Sequence, residues 1–260
     1  MDKRGYSFMD KKSAEAQHPT QIVWIGGSKG GVGKSMTTMA ALDYLLSEGS
    51  SVVLVECDNA NPDVYRAYQE VVPTERTDLD DADGWIHLVN LCDKHRGSTV
   101  VVNTAARNNV AVSRYGQTLD SSIEALGAEI DAWWVINRQR DGMELLKEFM
   151  EAMPRARVHV VRNGYFGDER KFELYNSSKL RALVEGRGGK SVTLPDLADR
   201  VADDIYTQRL SLCAASKVLP IGNRAELRRW RGEVGKVLAQ LVAPAHDGVL
   251  GRAVATALPT

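Results

Sequence analysis

A chain of 260 residues, 43% hydrophobic and 26% charged, has the make-up of a globular protein with a substantial core. A formal net charge of −1 points to neither nucleic acid nor a membrane surface as a partner. Three scattered cysteines, Cys57, Cys92 and Cys213, make neither a disulfide framework nor a zinc spacing, and no apolar run is long enough to span a bilayer, so a reducing cytoplasm is the expected compartment.

In chain order, residues 1–20 are polar, lack the apolar centre of a signal peptide and read as a mobile leader. Five runs follow that are apolar at nearly every position: QIVWIG (21–26), SVVLVE (51–56), TVVVN (99–103), AWWVIN (132–137) and RVHVVRN (157–163). Rich in Val, Ile and Trp, they suit strands buried on both faces. Helix-length segments at 35–48, 118–127 and 142–153 lie between them. The alternation predicts an α/β fold, a three-layer doubly wound sheet, mainly parallel, with helices on both faces. Helices are expected beyond it at 173–185, 196–206 and 222–242, with a short strand near Ser191–Leu194. One domain, 21–242, is the simplest reading, followed by a loosely ordered tail, 243–260.

The segment IGGSKGGVGKSMTT (25–38) follows the first strand and opens a helix. Gly30, Gly31 and Gly33 lack a Cβ, so the N–H groups around them, with those of Val32 and Met36, can turn towards a phosphate. The helix behind them aims its positive N-terminus at the same anion. Lys34 supplies a point charge for the β- and γ-phosphates, and Ser35 a hydroxyl for Mg²⁺. The usual G-x-x-x-x-G-K-[ST] spacing fails, because Ser28 stands where the first glycine belongs.

What is present instead, Lys29-Gly30-Gly31-Val32-Gly33-Lys34-Ser35, resembles the deviant Walker A motif of the ParA/MinD family of dimerising P-loop ATPases. The resemblance implies ATP and Mg²⁺ as cofactors. It makes Lys29 the signature lysine, which in the family reaches the phosphates of the facing subunit, and hence implies an ATP-dependent homodimer. A second match, Glu56-Cys57-Asp58-Asn59-Ala60-Asn61-Pro62-Asp63, implies that Asp58 orients the attacking water and contacts the metal through water. The plainer reading of Asp58 is a cap on a turn. Residues Asn59–Tyr68 would then form the loop that senses the γ-phosphate.

Two positions depart from the pattern or carry it weakly. The family's Walker B aspartate falls at Asn103, which could reach the metal through water but brings no charge, so slow turnover is expected. Asn163, after the fifth run, resembles the residue that reads the adenine edge, although Asn163-Gly164 is equally a turn. The acidic run 77–85 lacks calcium-loop spacing and reads as a solvated loop.

Residues 205–240 hold seven basic residues against two acidic ones. Arg224, Arg228 and Arg231 share one helix face, with Arg229 beside them. In ParA-type relatives such residues bind DNA without sequence preference; the plainer reading is a solvated face. The C-terminal residues lack an amphipathic membrane helix, so no membrane partner is expected. Taken together, the motifs most resemble the StbB/MobD/TraL group of conjugative-plasmid ATPases. This implies a slow dimeric switch ATPase in plasmid stability, partition or conjugative DNA transfer, with a small plasmid-encoded DNA-binding protein as partner. The alternatives are a nucleotide-dependent interaction module with little or no hydrolysis, and a MinD-like positioning ATPase.

Overall fold

The structure, a computed structural model, describes residues 19–28 and 30–242. The expected leader before residue 19, Lys29 and the expected tail lie outside the described residues.

Seven strands form one wholly parallel sheet: β1 (Thr20–Gly27), β2 (Val52–Glu56), β3 (Thr74–Arg76), β4 (Thr99–Asn103), β5 (Ala128–Ile136), β6 (Arg157–Asn163) and β7 (Ser191–Leu194), in the order β3-β2-β4-β1-β5-β6-β7. The five apolar runs are its five inner strands, because a strand covered on both faces favours apolar side chains throughout, and the few polar ones it buries, such as Glu56, Asn103 and Asp131, are hydrogen-bonded. The helices are α1 (Lys34–Ser47), α2 (Asp63–Tyr68), α3 (Ala82–Lys94), α4 (Asn108–Asp120), α5 (Ile123–Leu126), α6 (Asp141–Ala152), α7 (Glu173–Asn176), α8 (Lys179–Gly186), α9 (Asp199–Gln208), α10 (Leu212–Val218) and α11 (Ile221–Leu238). Two cores result. One packs α1, α2 and α9–α11 on the sheet face of Val23, Ile25, Leu54 and Val101. The other packs α3–α8 on the face of Ile22, Trp24, Val100 and Val102. This is the doubly wound arrangement the alternation predicts.

Several elements differ from expectation. The helix expected at 118–127 is α4, which opens ten residues earlier, and α5 after a break at Ser121–Ser122; Gly127, with φ +58°, ends α5. The acidic run is not only a loop. Asp81 caps α3 by accepting from the Gly84 N–H at 2.9 Å, and the helix buries Trp85, Leu88, Leu91 and Cys92. Asp80 is held by the Arg107 guanidinium at 2.5 Å. The expected helix at 173–185 is two, α7 and α8, parted by the Ser178 cap. The last expected helix begins at Ile221 and is preceded by α10, which Pro220 separates from it by removing a helical N–H. Part of the sensing loop, Asp63–Tyr68, is the helix α2.

Candidate nucleotide-binding site

Parallel strands deliver their C-terminal ends to one edge, so the loops after β1, β2, β4, β5 and β6 meet there. β1 lies between β4 and β5, where the winding of the sheet reverses and a crevice opens. The loop leaving β1 occupies that crevice. Gly31 and Gly33 have φ of +75° and +105°, values an L side chain rarely adopts. A Cβ on Gly33 would lie 2.3 Å from Asn163 Nδ2, whereas one on Gly31 would meet nothing within 4 Å. Buried Val32 pins the loop to the core.

Helix α1 starts at Lys34 with no side chain capping its N-terminus and no acidic residue in its first turn. That first turn therefore carries no negative side chain to repel an anion from the positive end of the helix. Lys34 is 7% exposed, and burial pulls its ammonium down to about 8, with the charge of Asp58 partly resisting. Ser35 and Met36, in the same turn, are half-buried.

Behind the loop lies a buried polar chain. Glu56 and Asn103 are register partners on β2 and β4, and both leave the sheet on the face that α1 covers. Asn103 Nδ2 donates to Glu56 Oε1 at 2.8 Å, and Asn103 Oδ1 accepts from Thr38 Oγ1 at 2.8 Å. Glu56 takes two further donors, the Asp58 N–H at 2.9 Å and the Tyr65 N–H in the first turn of α2 at 3.2 Å. Burial pushes the Glu56 carboxyl up to about 7, with those three N–H groups resisting. Asp58, half-buried on the next loop, accepts from the Asn61 N–H at 3.1 Å, the turn-capping contact of the plainer reading. Tyr68, at the end of α2, donates to Met39 O at 3.2 Å and accepts from the Leu212 N–H at 3.4 Å, joining α2 to α1 and α10.

Asn163 sits against the loop itself: Nδ2 donates to Val32 O at 2.9 Å and Oδ1 accepts from the Tyr165 N–H at 3.0 Å. Three residues of this edge escape sequence reasoning. Thr38 looks like an ordinary helix position. Asn108 caps its own turn by accepting from the Ala105 N–H at 2.8 Å, and Asn109 Nδ2 donates to Gly27 O at 3.1 Å and Ser28 O at 3.2 Å. Both residues open α4, whose N-cap position is Arg107 with no side-chain cap bond, and a helix expected only from residue 118 passes them over. Among the described residues no group of three or more His, Cys, Asp or Glu forms a metal cage. A hydroxyl beside phosphates is instead the kind of donor that suits Mg²⁺, and Ser35 in the first turn of α1 carries one.

The basic helix, α11, spends much of its charge internally. Arg231 makes a bidentate pair with Asp43 of α1, at 2.7 and 2.9 Å. Arg229 is bracketed by Glu226 and Glu233 at 2.6 and 2.8 Å. Arg224 donates to Lys217 O at 3.2 Å, and Arg228 is exposed. Among the described residues, no helix is long and apolar enough to cross a membrane.

No protein-family model matches the chain. It is 62% identical over 221 residues to Protein MobD of Acidithiobacillus ferrooxidans, a match covering 85% of this chain and 97% of that protein. Among solved structures it resembles the MinD cell division protein of Aquifex aeolicus, with a TM-score of 0.51 at 14% identity over 86% of this chain and 98% of that one. It also resembles the cell division protein FtsY of Thermotoga maritima, with a TM-score of 0.50 at 16% identity over 82% and 68%. At such identities the two structures speak for the fold alone, and they place the chain among folds of the MinD and FtsY type.

Proposed function

Because the chain belongs to the MobD family, we propose that it is a nucleotide-operated switch. In this reading it binds ATP with Mg²⁺, hydrolyses it slowly as a homodimer, and acts in plasmid stability, partition or conjugative DNA transfer. The observation that carries the reading is the uncapped N-terminus of α1 behind a loop with two left-handed glycines, at the point where the sheet reverses.

Each residue has a stated task. The N–H groups of Gly30, Gly31, Val32, Gly33, Lys34, Ser35 and Met36 hold the phosphates, and the Lys34 ammonium neutralises them. Ser35 would hold the metal, with Asp58 and Asn103 positioning its water ligands; when bound, it would offset phosphate charge. Asp58 orients the attacking water. Asn163 keeps the loop in place through Val32 and lies where the base would enter. Lys29 serves the nucleotide of the facing subunit, which makes the site complete only in the dimer. The domain comprises 21–242, and DNA or a small plasmid-encoded DNA-binding protein is the partner.

The test is binding of a fluorescent ATP analogue, followed by sizing and turnover. Lys34→Ala should abolish binding, whereas Lys29→Ala should bind and stay monomeric. Asp58→Ala should bind and dimerise but lose turnover, measured with and without DNA. Wild-type protein that binds no nucleotide would overturn the reading; binding with no turnover would favour the interaction module.

A further inference from the structure

An amide at position 103 brings no charge to a site that is expected to hold a cation, yet a buried carboxylate stands directly beside it. Glu56 is wholly buried and Asn103 is 1% exposed. Their Cα atoms are paired across β2 and β4, and their side chains meet at 2.8 Å. Among the described residues, every hydrogen-bond partner of the Glu56 carboxylate is an N–H donor: Asp58 N, Tyr65 N and Asn103 Nδ2. An ionised carboxylate only accepts, so it fixes which end of the Asn103 amide faces it. The nitrogen turns to Glu56, and the oxygen must then point to α1, one turn beyond Ser35. There Thr38 Oγ1 donates to it at 2.8 Å. The Thr38 hydroxyl also lies 2.9 Å from Lys34 O, but it has one proton, and Asn103 Oδ1 would otherwise face a lone pair.

Resting on the nucleotide-binding reading above, we infer that the negative charge serving the metal at this site has moved one strand across the sheet. Glu56 carries it, and Asn103 relays it by presenting a polarised carbonyl oxygen to Thr38 of α1, one turn beyond Ser35. Glu56 is thus a positioning residue that acts through Asn103. The arrangement explains why an uncharged residue is tolerated at the end of β4. It also explains why an aspartate there would be harmful: two carboxylates would face each other at hydrogen-bond distance in a buried site.

The experiment is titration of a non-hydrolysable ATP analogue at pH 8, with Mg²⁺ or with EDTA, alongside melting midpoints without nucleotide. A charge-assisted contact of this kind is worth about tenfold in affinity. Wild type should bind about tenfold more tightly with Mg²⁺ than with EDTA, and E56Q should lose most of that ratio while keeping its EDTA affinity. N103D should melt below wild type. E56Q should lower the midpoint in the wild-type background and raise it in the N103D background, where the amide introduced on β2 can donate to the carboxylate introduced on β4. E56Q/N103D should regain the Mg²⁺ ratio. If E56Q alone does not fold, the double variant decides: a folded, Mg²⁺-responsive protein supports the inference, and an unfolded one overturns it. An unchanged ratio in E56Q, no effect of Mg²⁺ on wild type, or the same sign of E56Q in both backgrounds would also overturn it. Wild type that binds no analogue under either condition defeats the nucleotide reading itself, a result distinct from all of these.

Discussion

Gly31 and Gly33 share a left-handed backbone but differ in what surrounds them. Around Gly33 a Cβ collides with Asn163, while around Gly31 it has open space. Gly33→Ala should therefore cost stability as well as binding, on the order of 1–3 kcal/mol from strain and displacement. Gly31→Ala should cost about 1–2 kcal/mol from its left-handed backbone alone, without the added clash at Gly33, and if nucleotide binds here it should lose affinity, because its Cβ would point into open space beside the loop. Melting curves with and without an ATP analogue separate the two. Lys34 gives a pH signature. Its folded-state value, about 8, lies below the ordinary 10.5, so between those values the unfolded chain holds a proton that the folded chain has released. Raising pH from 8 therefore favours the fold through Lys34, by about 3 kcal/mol across the window. Buried Cys57 and Cys92 are shifted upward and oppose it above pH 9, so the readout is the difference between wild type and Lys34→Met. Affinity for an ATP analogue should weaken over the same rise, as the loop loses its cation.

At the scale of elements, α1 is held from three sides: by the β1 loop, by Tyr68 of α2, and by Arg231 of α11. Burial raises the Asp43 carboxyl even with Arg231 beside it, so this carboxylate depends on its partner. Arg231→Ala should lower stability by about 1–3 kcal/mol, less than for a fully enclosed pair because the guanidinium is partly wetted. Equal melting of the variant and wild type would show that the pair holds nothing. Legibility from sequence followed the same divide between buried and half-buried elements. The five inner strands were readable because burial on both faces leaves QIVWIG and TVVVN apolar at nearly every position, and the turn into α1 was readable because three glycines crowd just before Lys34. The edge strand Thr74–Arg76 was not, being three polar residues that pair on one side only. Helix α3 was hidden by its acidic start, which looked like loop but contains its cap, and α10 by its brevity. The Glu56–Asn103–Thr38 chain joins three elements far apart in sequence, and only register brings them together.

Across the whole molecule, the near-zero net charge conceals an uneven distribution, yet fewer of the C-terminal arginines are free than a count suggests. Arg229 and Arg231 are neutralised by Glu226, Glu233 and Asp43. If DNA is held by this surface, Arg224 and Arg228 carry most of it. Changing both to Ala should leave stability within about 0.5 kcal/mol of wild type. The slope of log affinity against log salt for duplex DNA should fall by about 1–2. A slope equal to wild type would place the DNA elsewhere or remove it as a ligand. The tryptophans show a different economy. All five, Trp24, Trp85, Trp133, Trp134 and Trp230, are at most 1% exposed. Trp24 stacks on Trp85 at 5.6 Å, and Trp134 lies so close to Gly26, at the root of the glycine-rich loop, that a Cβ there would meet its ring at 2.9 Å. The folded chain therefore emits as a set of indoles shielded from water, so denaturation is written into its ultraviolet fluorescence without any added dye, and if nucleotide fills the loop, Trp134 beneath it should report that too.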